Sequence, residues 1–271
     1  MKVALCFSGH IRDLEETKNF WTDLIKKYDM DVYASLWDVQ NEELGDTVNN
    51  FERIYSPKRL EIESYDIFKT TTQDFASMNI QPPSVISGQF QDTSKAFGQL
   101  SMYYKIWRAN LLSKQLGVQY DLVIRARLDT ILDEVFELIP NQCLNIPMGR
   151  NNVPSFPNSE GLNDCFAYGI PKIMDYYSFL CFQMMEYLNS GHYVFPPEHF
   201  LAVHFSKIKI DIRFFPSYLM ITRVSRGKPH EIYNSFMKQR DEYVESSDLK
   251  KFLPDPQYTF RKSSIIDDFV L

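Results

Sequence analysis

Two arginines and an aspartate alternate within one segment of the sequence, Tyr120 to Thr130. Side chains at alternate positions of a strand share a face, so a strand here would place Arg125, Arg127 and Asp129 together. Arginine binds phosphate bidentately, and Mg²⁺ or Mn²⁺ prefers oxygen ligands, so this set suits a phosphorylated, metal-bound ligand. The alternative is a half-exposed strand whose arginines pair with acidic neighbours.

A second polar turn follows the apolar run Lys2 to Phe7, which predicts a buried first strand. Ser8 and Gly9 come directly after this run, and Arg12 lies in the same turn. A glycine lets the backbone approach a ligand there, and Arg12 could contact a phosphate or a base. The alternative is a turn glycine and a surface arginine. The turn is neither G-x-G-x-x-G nor a P-loop, which disfavours a dinucleotide-binding Rossmann domain and a P-loop kinase.

Helices and strands alternate around these polar turns, and the pattern predicts an α/β fold. Asp13–Tyr28 is predicted to be a helix and Asp31–Trp37 a strand, so the chain begins with a β-α-β unit and a parallel sheet. An amphipathic helix over Gln99–Gln115 leads into the Tyr120–Thr130 strand. Ligands of open α/β sheets bind beyond the carboxyl ends of the strands, where both polar turns would lie.

Shorter patterns define the remaining elements. β-like pieces occupy Arg53–Tyr65, and the polar segment Thr70–Phe97 is expected to form a long loop or mobile cover. An apolar helix is predicted over Pro171–Leu188. A late strand or strand pair is predicted over Ile210–Arg223.

Length and composition limit the classes of function. The 271 residues suit one domain over 1–224 and a C-terminal extension over 225–271, packed on the body or partly disordered. A net charge of −6 without long blocks of one sign disfavours nucleic acid as a partner. Four scattered cysteines and the lack of a signal-peptide pattern predict a cytoplasmic protein with reduced thiols. Apolar runs fall short of the roughly 18 residues of a membrane span, so no transmembrane segment is expected.

Two further segments begin with an acidic residue. The strand-like sequence NDCFAYG, residues 163–169, has Asp164 near its start. The sequence PPEHF, residues 196–200, has prolines that indicate a helix start, where Glu198 would be a favourable charge near the helix N-terminus.

The order and spacing of four motifs resemble nucleotide-sugar-dependent glycosyltransferases of the GT-A type. The motifs are Ser8-Gly9-x-x-Arg12, YDLVIRARLD at 120–129, NDCFAYG and PPEHF, and the likeness runs from about Met1 to Phe205. The resemblance implies a GT-A-like, Rossmann-like domain with a mainly parallel central sheet flanked by helices. It also implies transfer of a sugar from a nucleoside diphosphate sugar, with UDP as the default nucleotide, to a hydroxyl of a glycan acceptor.

Such families carry Asp-x-Asp at the end of a central strand, where it holds the divalent cation that bridges the nucleotide diphosphate. The corresponding triplet here is Arg127-Leu128-Asp129, so arginine replaces the first carboxylate. The resemblance implies that Asp129 ligates Mn²⁺ or Mg²⁺; alternatively, the two arginines of the strand replace the metal. The expected donor-binding residues are Ser8, Gly9, Arg12, Arg125 and Arg127.

An inverting transferase also needs a base for the acceptor hydroxyl. Asp164 and Glu198 are the candidates for that base, and Asp164 is favoured; the alternative role for either is to bind an acceptor or donor hydroxyl. Two other classes stay open. A sugar-phosphate nucleotidyltransferase usually has a glycine-rich basic loop after the first strand, for which the segment 8–12 is too short and too poor in glycine. A non-catalytic carbohydrate-binding protein is favoured by the arginine at position 127.

Overall fold

The computed structural model describes residues 1–72, 93–132, 137–148, 162–189 and 197–222. The strands in these ranges are β1 Val3–Gly9, β2 Asp31–Trp37, β3 Arg59–Glu63, β4 Leu122–Ala126, β5 Thr130–Leu132, β6 Cys143–Met148, β7 Phe166–Gly169 and β8 Asp211–Ile221. The helices are α1 Leu14–Tyr28, α2 Val48–Tyr55, α3 Tyr65–Thr71, α4 Thr93–Lys114, α5 Pro171–Asn189 and α6 Pro197–Ser206. The predicted extension over 225–271 lies outside the described residues.

The strands are arranged in the order β3-β2-β1-β4-β7-β6-β8-β5. β1, β2, β3 and β4 run parallel, β7 is antiparallel to both β4 and β6, β8 is parallel to β6, and β5 is antiparallel to β8. Helices flank the sheet. The predicted α/β fold with a mainly parallel sheet is therefore confirmed.

Two apolar cores cover the two faces of the sheet. On one face, β1 and β4 pack against α1 and α2 through residues such as Leu5, Ile124 and Trp21. On the other face, they pack against α4, α5 and α6, for example through Ala4 and Val123. The central strands are thus buried on both faces, as expected for parallel strands between two helical layers.

Of the β-like pieces predicted on either side of Pro57 within Arg53–Tyr65, the first is wrong, because residues 53–55 end α2, and the second contains β3. Thr47 caps the helix, because its side chain accepts a hydrogen bond from the backbone N–H of Asn50. Phe51 and Tyr55, one helical turn apart, are both buried in the core beside α1. The β structure begins only at β3.

The long segment Tyr120–Thr130 is not one strand. β4 ends at Ala126, and the chain turns through 127–129 before β5. Backbone hydrogen bonds fix this turn at both sides: Arg127 N–H donates to the Cys165 carbonyl at 3.1 Å, and Thr222 N–H donates to the Asp129 carbonyl at 2.8 Å. Asp129 therefore lies in a turn beyond the strand and not on the strand itself.

Three other predictions agree with the structure to within a few residues. β2 has the predicted bounds, α5 extends one residue beyond Leu188, and β8 lies within Ile210–Arg223. The expected loop Thr70–Phe97 falls mostly outside the described residues, and its last residues belong to α4.

The chain reverses its direction of winding between β1 and β4. From β1 it proceeds to β2 and β3 on one side, and it then crosses to β4 on the other side of β1. Ligands of open α/β sheets bind at such a switch point, beyond the carboxyl ends of the two strands. Among the described residues, no helix combines the length and the apolar character needed to span a membrane.

Candidate functional site

Three separate segments meet at the carboxyl ends of β1 and β4. Ser8 and Gly9 end β1, and Arg127 and Asp129 follow β4. Asp164 comes just before β7, which runs antiparallel to β4, so the start of β7 lies beside the end of β4. The sheet topology thus brings together groups that the sequence places far apart.

Arg127 and Asp129 form a bidentate ion pair in this crevice. Arg127 Nε donates to Asp129 Oδ1 at 2.8 Å, and the second donor, NH2, reaches Oδ2 at 2.6 Å. The Asp129 side chain is 3% exposed and that of Arg127 is 18% exposed. Two parallel N–H···O bonds at a partly buried site fix the geometry of both side chains.

Cys165 links this ion pair to Asp164. Arg127 NH1 donates to Cys165 Sγ at 3.6 Å, and the Cys165 thiol donates to Asp164 Oδ1 at 3.3 Å. Burial raises the pKa of the Cys165 thiol, so the group stays protonated and can act as this donor. Burial disfavours the charge on Arg127, but the hydrogen bonds and charge of Asp129 and the charge of Asp164 help to keep the pKa of the guanidinium raised.

The turn after β1 contains a backbone conformation that favours glycine and a buried hydroxyl with no hydrogen-bond partner in the described part of the chain. Gly9 has φ +108°, a conformation that L side chains rarely adopt, although a Cβ would meet no atom within 4 Å. The Ser8 hydroxyl is buried and has no hydrogen-bond partner among the described residues. Arg12, by contrast, is exposed at the outer end of the turn.

His10 belongs to the same crevice, and the sequence analysis did not select it. Burial lowers the pKa of His10 to about 4, the charges of Arg12 and Arg127 add to this effect, and Asp129 opposes it. The imidazole is therefore neutral near pH 7, and its ring lies against Tyr65 at a centroid distance of 5.1 Å. Its position directly after a buried strand and a glycine was the signal that could have identified it.

The alternation of the sequence predicted that Arg125 would lie beside Arg127 in the crevice. In the structure, Arg125 lies outside it. It is 2% exposed and lies on the face of β4 that α4 and α5 cover. None of its three guanidinium nitrogens has a hydrogen-bond partner within the described part of the chain. The alternative of a half-exposed strand is thus wrong, because helices cover both faces of β4 and all five of its residues are buried.

Asp164 and Glu198 lie near this buried guanidinium. Burial raises the pKa of the Tyr103 hydroxyl, Asp164 and Glu198 add to the increase, and Arg125 opposes it. All three charges therefore act on one hydroxyl. Glu198 occupies the first turn of α6, as predicted, and the adjacent Pro197 carbonyl accepts a hydrogen bond from Tyr103 Oη at 2.9 Å.

A buried polar network lies beside the crevice, under the ends of β2 and β3. Lys105, fully buried on α4, donates to Glu63 Oε2 at 2.6 Å and to Ser35 Oγ at 3.2 Å. Its ammonium also lies 4.1 Å from the centroid of the Trp37 ring. The sequence predicted a core-facing stripe of Leu100, Tyr103, Tyr104, Trp107 and Leu111 on this helix. Only Tyr103 is buried, the other four are half-buried, and Lys105 lies in the core instead.

The carboxylates of the crevice would form a cation site only if a phosphorylated ligand supplied further oxygen ligands. Within the described ranges, no three His, Cys, Asp or Glu side chains are grouped as metal ligands. Mg²⁺ is commonly held by one or two carboxylates plus substrate phosphates, so Asp129 alone could contribute to such a site. Both Asp129 oxygens accept hydrogen bonds from Arg127, which would have to turn away first.

No family model matches the chain, and no curated protein matches it either. Fold and site define it as an α/β protein with a candidate ligand crevice at the carboxyl ends of β1 and β4.

Proposed function

We propose that this protein is a glycosyltransferase that moves a sugar from a nucleoside diphosphate sugar, with UDP as the expected nucleotide, to a hydroxyl of a glycan acceptor. The observation that carries the proposal is the Arg127–Asp129 ion pair at the switch point of the sheet, next to Asp164. A guanidinium, a carboxylate and a second carboxylate in one crevice match the needs of a diphosphate leaving group and an acceptor hydroxyl.

Arg127 is the phosphate-binding group of this proposal. Its planar donors match two phosphate oxygens as well as they match the two oxygens of Asp129. The donor diphosphate competes with Asp129 for the guanidinium and leaves the carboxylate free. Asp129 would then hold Mn²⁺ or Mg²⁺ with the diphosphate, and such a cation supplies charge neutralisation of the leaving group.

The turn after β1 receives the nucleotide in this arrangement. Gly9 keeps the backbone accessible, and the buried Ser8 hydroxyl gains the partner that the described residues do not provide. The exposed Arg12 contacts the outer part of the nucleotide. Burial and the charges of Arg12 and Arg127 lower the pKa of His10, so its ring is neutral in this turn.

Asp164 is the base in the proposed reaction. Its carboxylate accepts the proton of the acceptor hydroxyl as that oxygen attacks the anomeric carbon and the bond to the diphosphate breaks. The Cys165 thiol, which donates to one of its oxygens, orients the carboxylate. Glu198, which follows the Pro197 carbonyl that Tyr103 Oη binds, binds a hydroxyl of the acceptor.

The test is to incubate the purified protein with a panel of nucleotide sugars and Mn²⁺ and to measure release of the nucleoside diphosphate. Release that Asp129→Asn abolishes and that the exposed helix control Asp23→Asn retains supports the transferase. Pyrophosphate-dependent formation of a nucleoside triphosphate would instead establish a nucleotidyltransferase. Saccharide binding with no release from any donor would establish a carbohydrate-binding protein.

A further inference from the structure

Arg125 is a buried charge that the proposed transfer reaction does not use. It stands beside Cys6 of β1 and Ala167 of β7 in the sheet, below the level of the Arg127–Asp129 pair. It is 2% exposed, and its guanidinium nitrogens make no hydrogen bond to any described residue. Burying a charged group without a partner is strongly unfavourable, and buried donors in folded proteins nearly always have an acceptor.

A second donor without an acceptor lies on the neighbouring helix. Tyr177 of α5 is fully buried, and its hydroxyl has no partner in the described part of the chain. Burial raises the pKa of Tyr177, and the charge of Arg125 opposes the increase, which places the two groups within electrostatic reach of each other. The Tyr177 phenol is therefore protonated, and both the phenol and the guanidinium are hydrogen-bond donors.

The acceptors near these two donors are carboxylates, which suit hydroxyl groups. The Leu162 N–H donates to the Glu198 carbonyl at 2.8 Å, and Tyr103 Oη donates to the adjacent Pro197 carbonyl at 2.9 Å, so Glu198 lies beside the segment that carries Asp164. After the larger effect of burial, both carboxylates also raise the pKa of Tyr103, and Asp164 raises that of Tyr177. A ligand that suits this set has hydroxyls that can approach the carboxylates and one planar anionic acceptor for the guanidinium and the phenol, which have no partner among the described residues. A sugar carboxylate meets this description, whereas a phosphate carries more negative charge beside two acidic side chains.

We infer that Arg125 and Tyr177 form a subsite for the carboxylate of an acidic sugar, such as a hexuronic acid residue. This inference rests on the proposed function for the role of the sugar in transfer, and its binding step is testable separately. The acidic sugar enters either as the transferred group or as the acceptor residue, and the guanidinium binds the same carboxylate in both cases.

The test compares acidic and neutral ligands in pairs by calorimetry. One pair is UDP-glucuronate and UDP-glucose, which examines the donor, and the other is free glucuronate and glucose, which examines the acceptor. We expect the acidic member of at least one pair to bind about tenfold or more tightly than its neutral counterpart, as expected for a hydrogen-bonded charge. Equal affinities in both pairs would overturn the subsite.

Two variants assign the preference to these residues. Arg125→Met removes the charge and keeps the approximate length of the side chain, and it is expected to abolish the preference. Tyr177→Phe, checked for folding by circular dichroism, is expected to reduce the preference severalfold, so the inference stays testable if Arg125→Met does not fold. A preference that both folded variants retain would overturn it. If the protein prefers acidic ligands but releases no nucleoside diphosphate, only the proposed transferase activity is contradicted. If it releases the diphosphate but shows no preference for acidic ligands, only the subsite is contradicted.

Discussion

Asp129 and Asp164 lie at opposite ends of one hydrogen-bonded series, in which Arg127 and Cys165 are the intermediate members. The two carboxylates are contributed by the turn after β4 and by the start of the antiparallel strand β7. A ligand that takes Arg127 from Asp129 therefore also changes the surroundings of Asp164.

Arg127→Lys is expected to weaken UDP binding by about tenfold or more, because a lysine ammonium cannot hold two phosphate oxygens in the planar geometry of a guanidinium. The measurement is calorimetric titration with UDP. Arg53→Lys is the matched control, since Arg53 is exposed on α2. Unchanged affinity in Arg127→Lys would contradict the role of this arginine in phosphate binding.

Asp164→Asn is expected to retain donor binding and to lose transfer, because the amide keeps the shape of the carboxylate but cannot accept the acceptor proton at neutral pH. UDP affinity and the rate of sugar transfer are measured on the same preparation. Transfer at the original rate would assign the base to Glu198 instead.

Chelation of divalent cations is expected to slow UDP release, and added Mn²⁺ is expected to restore it, since Asp129 is proposed to hold the cation with the diphosphate. The rate of UDP release is measured with EDTA and then with excess Mn²⁺. Release that EDTA leaves unchanged would mean that guanidinium groups alone neutralise the leaving group.

His204 is expected to make the fold sensitive to acid. It is fully buried and stacked on Tyr176, and burial lowers its pKa from the ordinary 6.5 to about 4, although its hydrogen bond to the Tyr176 carbonyl opposes the decrease. The unfolded chain binds a proton below pH 6.5 and the folded chain does not, so stability from the neutral ring is present above pH 6.5. It is lost as the pH falls toward 4, by about 3 kcal/mol at most.

The check on this acid sensitivity is urea unfolding between pH 7 and pH 4, expressed as the slope of unfolding free energy against pH. His204→Gln, which cannot titrate in this range, is expected to show a smaller slope than the unaltered protein. The same slope in both proteins would assign the acid sensitivity to other groups.

Tyr120→Phe is expected to reduce stability without changing ligand binding. The Tyr120 hydroxyl lies 2.5 Å from that of Tyr33 and donates to Asp31 Oδ2 at 2.7 Å, at the amino end of the sheet and away from the crevice. The loss of these bonds is expected to cost about 1–2 kcal/mol in unfolding free energy, measured by urea titration. A change in UDP affinity would contradict the separation of this network from the site.

Local sequence patterns correctly predicted the helices and strands in which apolar residues recur with the period of the element. The apolar run at β2 and the periodicity of α1 agree with their bounds in the structure, because each element buries its own apolar face. The joint position of Ser8, Gly9 and Arg127 also followed from the sheet rule, since carboxyl ends of parallel strands meet at one edge. Asp164 joins them because β7 runs antiparallel to β4, which the sequence did not predict.

Contacts with distant segments decided the features that the sequence did not predict. β4 ends at Ala126 because Cys165 and Thr222 provide hydrogen-bond partners for the backbone of the following turn. Both partners are distant in sequence, so the alternating pattern of residues 120–130 could not indicate them. Arg125 is buried because two helices cover its face of the strand, whereas a charge in an alternating pattern indicates solvent by default.

The most direct measurement is a crystal structure of the protein soaked with UDP and Mn²⁺. We expect the diphosphate at the carboxyl ends of β1 and β4, with Arg127 donating to phosphate oxygens and no longer to both oxygens of Asp129. UDP bound elsewhere, with the Arg127–Asp129 pair unchanged, would contradict the proposed donor site.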